Sequence, residues 1–223
     1  MKIEILYPEI CTLYGDKGNT MYLQKCLPDA EFVTTGLNEK PLFLKENIDM
    51  VYMCSMSEKS QELVLDRLMQ YKDEIAACMK DGKALFLLVG NSMELLGDYI
   101  KREDGTRVTG LGVVQGMYSV RQAPNRFNTL IKAKFNDMTL IGYTSRFAHT
   151  YGIPDDMTFC KVEIGQGSNP DTMNEGICKN RVIATYIHGP LLIQNPDFVH
   201  YLLERLDAPM KEIPFEAAMR KAY

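Results

Sequence analysis

The sequence predicts an α/β fold built around a mostly parallel β-sheet. Residues 84–89 form a continuous apolar run, which is typical of a strand covered on both faces in a parallel sheet. Strand-like segments alternate with segments of helical periodicity in the first half of the chain, as parallel strands with helical crossovers require. A length of 223 residues suits a single substantial core, so we expect one domain over residues 1–223.

The first half of the chain contains the predicted parallel strands and their helices. Alternating or continuous apolar residues indicate the strands, and apolar residues at helical spacing indicate the helices. A glycine-bearing polar loop over residues 8–18 separates the first strand from the first helix. The predicted strands are 1–7, 30–35, 50–53 and 84–89, and the predicted helices are 19–26, 57–79 (ended by Asp81-Gly82) and 92–97.

The second half is predicted to be richer in strands. Between residues 110 and 163, short β-like segments are separated by Gly and Pro, and we expect them to lie beside the sheet or extend it. A last buried strand then precedes an amphipathic helix with Pro196 in its first turn and a weaker terminal helix. The predicted strands are 112–118, 129–135, 139–143, 159–163 and 182–187, and the helices are 195–206 and 215–221.

Composition excludes several classes of partner. A net charge of −4 provides no long-range attraction to nucleic acid, and the chain lacks the apolar run of about 18 residues that membrane insertion requires. The chain begins with a strand-like segment in place of a signal peptide, so we expect a cytoplasmic protein. The six cysteines form no CxxC pair, and we expect no metal site, disulfide framework or cofactor.

Loops at the carboxyl ends of the parallel strands are the candidate functional region. In parallel α/β sheets these loops meet at one edge, and here they cover residues 8–19, 53–57, 89–93 and 188–192. The segment from Val89 resembles a sharp strand-to-helix turn that exposes a nucleophile, with Gly90 at the nucleophile position. His188 is the candidate base, either retained for catalysis or vestigial.

Several short motifs, spread over most of the chain, point to one family. They lie at residues 6–8 with 13–19, at 89–97, at 165–169 with 174–176, and at 185–192 with 195–196. Together they resemble the class I glutamine amidotransferases of the cobyric acid synthase (CobB/CobQ) type, most nearly the GatD group. This resemblance implies a three-layer, flavodoxin-like fold and glutamine as a ligand. It also implies glutamine hydrolysis that supplies ammonia to a MurT-like Mur ligase, for amidation of lipid II in peptidoglycan biosynthesis.

The chain departs from the family pattern in three places. The family elbow, similar to V-C-G-G-Y-Q-L-L-G, puts the catalytic cysteine at Gly90 and a glutamine at Glu94. The glycine-rich oxyanion loop, similar to G-G-G-Q-D-R-E-Q, falls on residues 54–61, where larger residues replace the glycines. A pattern similar to G-F-E-N-H-G-G-R-T is altered over residues 142–150. The resemblance places Arg126 and Asn91 as substrate-binding candidates, but the chain is expected to be a pseudoenzyme.

Two alternatives remain open at this stage. The first is an active amidase that pairs His188 with a thiol relocated to Cys54 or Cys11, since both lie in loops at the same sheet edge. Ser92 is a weaker substitute, because a shift of two residues along the turn points its side chain elsewhere. The second alternative is a stand-alone module that binds a small molecule, because a fold does not determine a function.

Overall fold

The computed structural model describes residues 1–208 and 212–222. Thirteen strands and six α-helices lie within these residues. The strands are β1 (Lys2–Leu6), β2 (Glu31–Thr35), β3 (Met50–Met53), β4 (Leu85–Val89), β5 (Tyr99–Lys101), β6 (Arg107–Thr109), β7 (Tyr118–Arg121), β8 (Phe127–Phe135), β9 (Met138–Arg146), β10 (Ala148–Tyr151), β11 (Thr158–Ile164), β12 (Asn174–Lys179) and β13 (Val182–Thr185). The helices are α1 (Lys17–Cys26), α2 (Glu58–Met69), α3 (Lys72–Asp81), α4 (Leu191–Gln194), α5 (Pro196–Arg205) and α6 (Glu216–Ala222), and short 3-10 turns cover Leu13–Gly15, Leu42–Leu44, Gly90–Leu96 and Asp155–Met157.

A nine-stranded sheet forms the centre of the fold, in the order β2-β1-β3-β4-β13-β12-β11-β8-β9. The first five strands pair in parallel, and the remaining pairings are antiparallel. Every residue of β3, β4 and β13 is buried, which explains the continuous apolar sequences of β3 and β4. The predicted α/β class is therefore confirmed, with an antiparallel extension added to the parallel half.

The β-rich middle of the chain contributes to two sheets. The strands predicted at 129–135, 139–143 and 159–163 correspond to β8, β9 and β11, which extend the main sheet. Strands β10-β7-β5-β6 form a separate four-stranded sheet, in which β5, β6 and β10 have no counterpart in the predictions and β7 shares only Tyr118 with a predicted strand. The strand predicted at 112–118 is wrong, because Gly112 and Gly116 have φ of 61° and 81° and turn the backbone before β7.

One of the longer predicted helices is divided in the structure, and another is confirmed. The helix predicted over 57–79 breaks at Gln70 and Tyr71 into α2 and α3. Ser57 caps α2 by accepting a hydrogen bond from the Ser60 amide, and Gly82, with φ of 65°, ends α3 as expected. The helix predicted over 195–206 is confirmed as α5, and the short helix α4 before it has no counterpart in the predictions. Within the part of the chain that the structure describes, no helix has both the length and the apolar character needed to cross a membrane.

Candidate active site

Four loops at the carboxyl ends of β1, β3, β4 and β13 meet at one point, as the topology predicts. They bring together Asp16, Ser55, Gly90 and His188, all of which are buried. His188 Nδ1 lies 2.9 Å from Asp16 Oδ2 and 3.1 Å from Ser55 Oγ. Ser55 Oγ in turn donates to Asp16 Oδ2 at 3.0 Å. The three polar side chains therefore form a closed triangle beside the elbow.

The loop after β1 is fastened to the rest of the site by α1 and β3. Tyr14 and Gly15 have φ of 58° and 74°, so the chain turns sharply just before Asp16. The hydroxyl of Tyr52 on β3 donates to the Asp16 carbonyl at 2.9 Å. Asn19 donates to that hydroxyl and accepts a hydrogen bond from the Leu192 amide, both at 2.9 Å. This buried asparagine joins the Asp16 loop to the segment that follows His188.

The His188 segment is held against β9. His188 donates its backbone amide to the Tyr143 carbonyl at 2.8 Å and accepts from the Tyr143 amide at 3.3 Å. The ring of His188 packs against Tyr14, with centroids 4.7 Å apart. Gly142 permits this close approach, since a Cβ at that position would lie only 2.5 Å from the His188 carbonyl oxygen.

The elbow after β4 has the geometry of a nucleophile turn but lacks a side chain at its apex. Val89 is extended and Gly90 has φ of 71°, a conformation that favours glycine. A Cβ at position 90 would lie 1.9 Å from Ser55 Oγ, 2.9 Å from Ser55 Cβ and 2.5 Å from His188 Cε1. The Ser55 hydroxyl therefore occupies the space into which a side chain at position 90 would project.

The hydrogen-bond geometry of the triangle differs from that of a nucleophile-base-acid relay. In a relay, the nucleophile and the acid contact different nitrogens of the histidine. Here both Ser55 and Asp16 contact Nδ1 of His188. If Nδ1 donates to Asp16, it has no lone pair with which to take the Ser55 proton. With Nδ1 donating to Asp16, this nitrogen does not activate Ser55, and the buried Asp16 Oδ1 accepts no hydrogen bond from the described residues.

Comparison with known proteins identifies the family. Residues 2–196 match the CobB/CobQ-like glutamine amidotransferase domain. The chain belongs to this family.

Two curated relatives are subunit GatD of lipid II isoglutaminyl synthase (glutamine-hydrolyzing). The chain is 27% identical to the one from Streptococcus pneumoniae, over 91% of this chain and 79% of the relative. It is 28% identical to the one from Staphylococcus aureus, over 92% of this chain and 83% of the relative. A crystal structure of a glutamine amidotransferase has the same fold, with a TM-score of 0.59, 12% identity and coverage of 92% of this chain and 99% of that chain.

The other candidate residues of this amidotransferase domain are mostly engaged in structural contacts. The Asn91 amide bonds both backbone groups of Met56, accepting at 3.0 Å and donating at 2.8 Å. Ser92 donates to the carbonyls of Val89 and Met53 at 2.8 and 3.2 Å. Arg126 is exposed, and its guanidinium lies 4.4 Å from the Phe147 ring centroid. Arg126 also lies 6.0 Å from the ring centroid of Tyr14, which itself packs on His188, so this arginine stands near the site.

The two candidate thiols are buried and neutral at physiological pH. Cys54 Sγ donates to the Cys11 carbonyl at 2.7 Å, and burial raises the pKa of Cys54 to about 12. Burial also raises the pKa of Cys11. Since the thiolate is the nucleophilic form of cysteine, this environment disfavours a relocated thiol at either position.

Glu94, which stands where the family pattern has glutamine, is a buried carboxyl group next to the elbow. Its oxygens accept hydrogen bonds from Gln61 Nε2 at 3.0 Å and from the Tyr186 hydroxyl at 2.9 Å. Burial raises the pKa of Glu94, because the charged form loses its hydration there. Glu94 ties the elbow to α2 and to the segment after β13.

Sequence reasoning located the site loops but missed several of the side chains that fill them. Asp16 and Asn19 lie within a loop that was expected to be functional, but no sequence pattern singles out their side chains. In the comparison with the family pattern, Ser55 stood out only as a replacement of a glycine. No sequence signal indicates that its hydroxyl fills the space beside Gly90, because that contact depends on how two separate loops pack.

Proposed function

We propose that this chain is a GatD-like amidotransferase subunit that binds a MurT-like ligase in the cytoplasm but does not hydrolyse glutamine through a cysteine thioester. One observation carries the catalytic half of this proposal. The elbow has Gly90 at its apex, and the Ser55 hydroxyl fills the space where a nucleophilic side chain would stand. The thioester route requires a thiolate at this point, so the site retains its base but lacks the group that the base would activate.

The partner half of the proposal is supported by the relatives. Both are named as subunits of a lipid II isoglutaminyl synthase, and the chain spans most of their length. The Asp16, Ser55 and His188 side chains, by contrast, are all buried and bonded to one another. A closed site of this kind is compatible with a binding or regulatory role in a complex whose amidating chemistry takes place on the ligase.

A serine-based amidase is the alternative that one observation favours. Ser55 Oγ lies 3.1 Å from His188 Nδ1, the hydrogen-bonding distance that a displaced hydroxyl nucleophile requires. The shared Nδ1 contact and the burial of Ser55 weigh against it. The experiment therefore includes variants that remove this hydroxyl.

Covalent labelling tests the catalytic half without depending on turnover. The full chain is treated with a diazoketone analogue of glutamine, which alkylates an activated nucleophile in a glutamine site, and the adduct is mapped by mass spectrometry. The proteins compared are the wild type, Gly90→Cys, and Gly90→Cys combined with Ser55→Gly. We expect no adduct on the wild type and labelling at position 90 in the double variant. Ser55→Gly alone is the matched control, because it removes the side chain at position 55 without adding a thiol at position 90.

Glutamate release by the wild type that disappears in Cys54→Ala or Cys11→Ala would overturn this half of the proposal, whereas release that disappears in Ser55→Ala would support the serine-based alternative. The assay is run with and without the Mur-ligase-like protein of the same organism, since a missing partner can silence an amidotransferase subunit. The partner half has a separate readout: the tagged chain and that ligase-like protein are co-expressed and co-purified. Failure to form a stable complex would overturn the proposed partnership.

A further inference from the structure

An apolar groove lies between the β8–β9 hairpin, α4 and α6. It encloses about 790 Å³. Its lining is formed mainly by Leu130, Ile141, Tyr143, Ile193, Phe215 and Met219. A space of this size accommodates several large apolar side chains at once.

Large apolar side chains at this groove are unusually exposed. Leu130 is 76% exposed, Phe215 65% and Ile193 39%. Single exposed apolar residues are ordinary on protein surfaces, but a cluster around a concave apolar surface indicates an interaction site. The groove therefore has the character of an interface whose second half is another polypeptide.

The nearby strand edge is closed to an added β-strand. On β9, both backbone groups of Ile141 are bonded by the Asn195 side chain at 2.8 Å. Both backbone groups of Tyr143 are bonded by the His188 backbone. An incoming peptide has no free backbone groups to pair with at these positions, so the groove suits an occupant that inserts side chains, such as an amphipathic helix.

The charges around the groove select the chemistry of that occupant. Lys25 Nζ lies 5.9 Å from the Phe215 ring centroid, and Lys221 is adjacent to the groove-lining Ala222 on α6. Across residues 1–208 and 212–222, no carboxylate lies within 4.0 Å of either lysine ammonium, whereas the α6 carboxylate Glu216 is engaged by Arg220 and His200. The ammonium of Lys25 beside Phe215 attracts acidic groups, and Lys221 precedes a lining residue in sequence, although the chain as a whole has a net charge of −4.

The groove shares a wall with the candidate active site. Gly142, which lines the groove, packs against the His188 carbonyl oxygen. The side chain of Gln194, which also lines it, donates to the Gly189 carbonyl at 2.8 Å. A partner seated in the groove would therefore contact the two residues that support the His188 turn.

We propose that this groove docks an amphipathic helix of the ligase-like partner, which presents a row of aliphatic side chains flanked by carboxylates. This inference rests on the proposed function and specifies the surface through which the partnership forms. Burial of Leu130, Phe215 and Ile193 provides the apolar contact, and Lys25 and Lys221 select acidic flanks.

The test measures the affinity of the full chain for the Mur-ligase-like protein of the same organism by titration calorimetry. Phe215→Asp and Leu130→Asp are each expected to weaken binding by roughly tenfold or more, as hot-spot positions do. Lys25→Glu combined with Lys221→Glu is expected to weaken it as well, and added salt should reduce wild-type affinity. Leu63→Asp, at a 39% exposed leucine on α2, and Lys59→Glu are the matched controls and should bind like the wild type.

Each outcome bears on the inference. Unchanged affinity in both Asp variants, while the wild type binds, would overturn the docking surface but leave the proposed function intact. Absence of a wild-type complex would overturn the proposed partnership together with this occupant. Sedimentation of the chain alone should show a monomer, and a dimer abolished by Phe215→Asp would assign the groove to a second copy instead. Thermal unfolding tests whether each variant is folded. If Phe215→Asp does not fold, Leu130→Asp, on the exposed face of β8, provides the test of the docking surface.

Discussion

The contact between Ser55 and Gly90 predicts a strong energetic coupling between these two positions. Gly90→Ala places a Cβ 1.9 Å from Ser55 Oγ and 2.9 Å from Ser55 Cβ, both far inside van der Waals contact. Overpacking of this kind costs about 1–3 kcal/mol, and the left-handed conformation of residue 90 adds about 1–2 kcal/mol for any residue with a Cβ. Gly90→Ala alone should therefore lower the free energy of unfolding by roughly 2–5 kcal/mol.

Ser55→Gly removes two of the three close contacts and leaves the 2.5 Å approach to His188 Cε1. The cost of Gly90→Ala should then fall by about 1–3 kcal/mol, while the conformational cost at residue 90 remains. A double-mutant cycle isolates this coupling, because the intrinsic cost of losing the Ser55 hydroxyl cancels.

Urea unfolding of the wild type, the two single variants and the double variant provides the four free energies, provided that the m-values agree. Alanine is used at position 90 because it tests the space without introducing a reactive thiol. A coupling energy below about 0.5 kcal/mol, the limit for independent sites, would refute the claim that Ser55 fills the space beside Gly90. The same result would remove the steric reason for pairing Ser55→Gly with Gly90→Cys in the labelling experiment.

Three further predictions concern buried and paired ionisable groups, each measured by urea unfolding across pH. Burial lowers the pKa of His149 to about 4, so between pH 7 and pH 4 the unfolded chain binds a proton that the folded protein does not bind, and the free energy of unfolding falls by about 3 kcal/mol. His149→Phe should abolish this fall, and an unchanged fall in the variant would contradict the prediction. A hydrogen bond from Arg102 lowers the pKa of Glu62 to about 2, so Glu62→Gln should cost about 1–2 kcal/mol at pH 7 and progressively less as the pH falls below 4.5. Burial raises the pKa of Glu94, so the folded protein retains a proton that the unfolded chain releases above pH 4.5. The free energy of unfolding of the wild type should therefore fall relative to that of Glu94→Gln as the pH rises from 5 to 8, and a constant difference between the two would count against a raised pKa.

The parallel half of the sheet was predictable because its strands are buried on both faces. The apolar run that ends at Val89 has few alternatives to a central strand, and β3 was predicted with its observed bounds. The strands β5 and β6 were not predictable, since each has three residues and forms only through pairing in the second sheet. Their identity depends on tertiary partners, and local sequence preference carries little information about such short segments.

The location of the candidate site followed from topology, but its composition did not. The rule that ligand sites collect at the carboxyl ends of parallel strands placed all four loops correctly. The hydrogen bond between Asp16 and His188 joins residues 172 positions apart, and no local pattern marks Asp16 as its partner. The sequence does not reveal how these loops pack against each other. It is this packing that places the side chain of Ser55, at a position where the family pattern has glycine, beside Gly90.

That packing makes the residues at positions 55 and 90 mutually dependent. The resemblance places glycine at 55 and cysteine at 90, whereas this chain has serine at 55 and glycine at 90. A side chain at both positions would overlap, given the 1.9 Å separation between a Cβ at 90 and Ser55 Oγ. Glycine at both would leave a void beside Asp16 and remove a donor from its buried carboxylate. Relatives with a side chain at position 55 should therefore carry glycine at position 90, and a relative with intact glutaminase chemistry and a serine at position 55 would contradict this steric account.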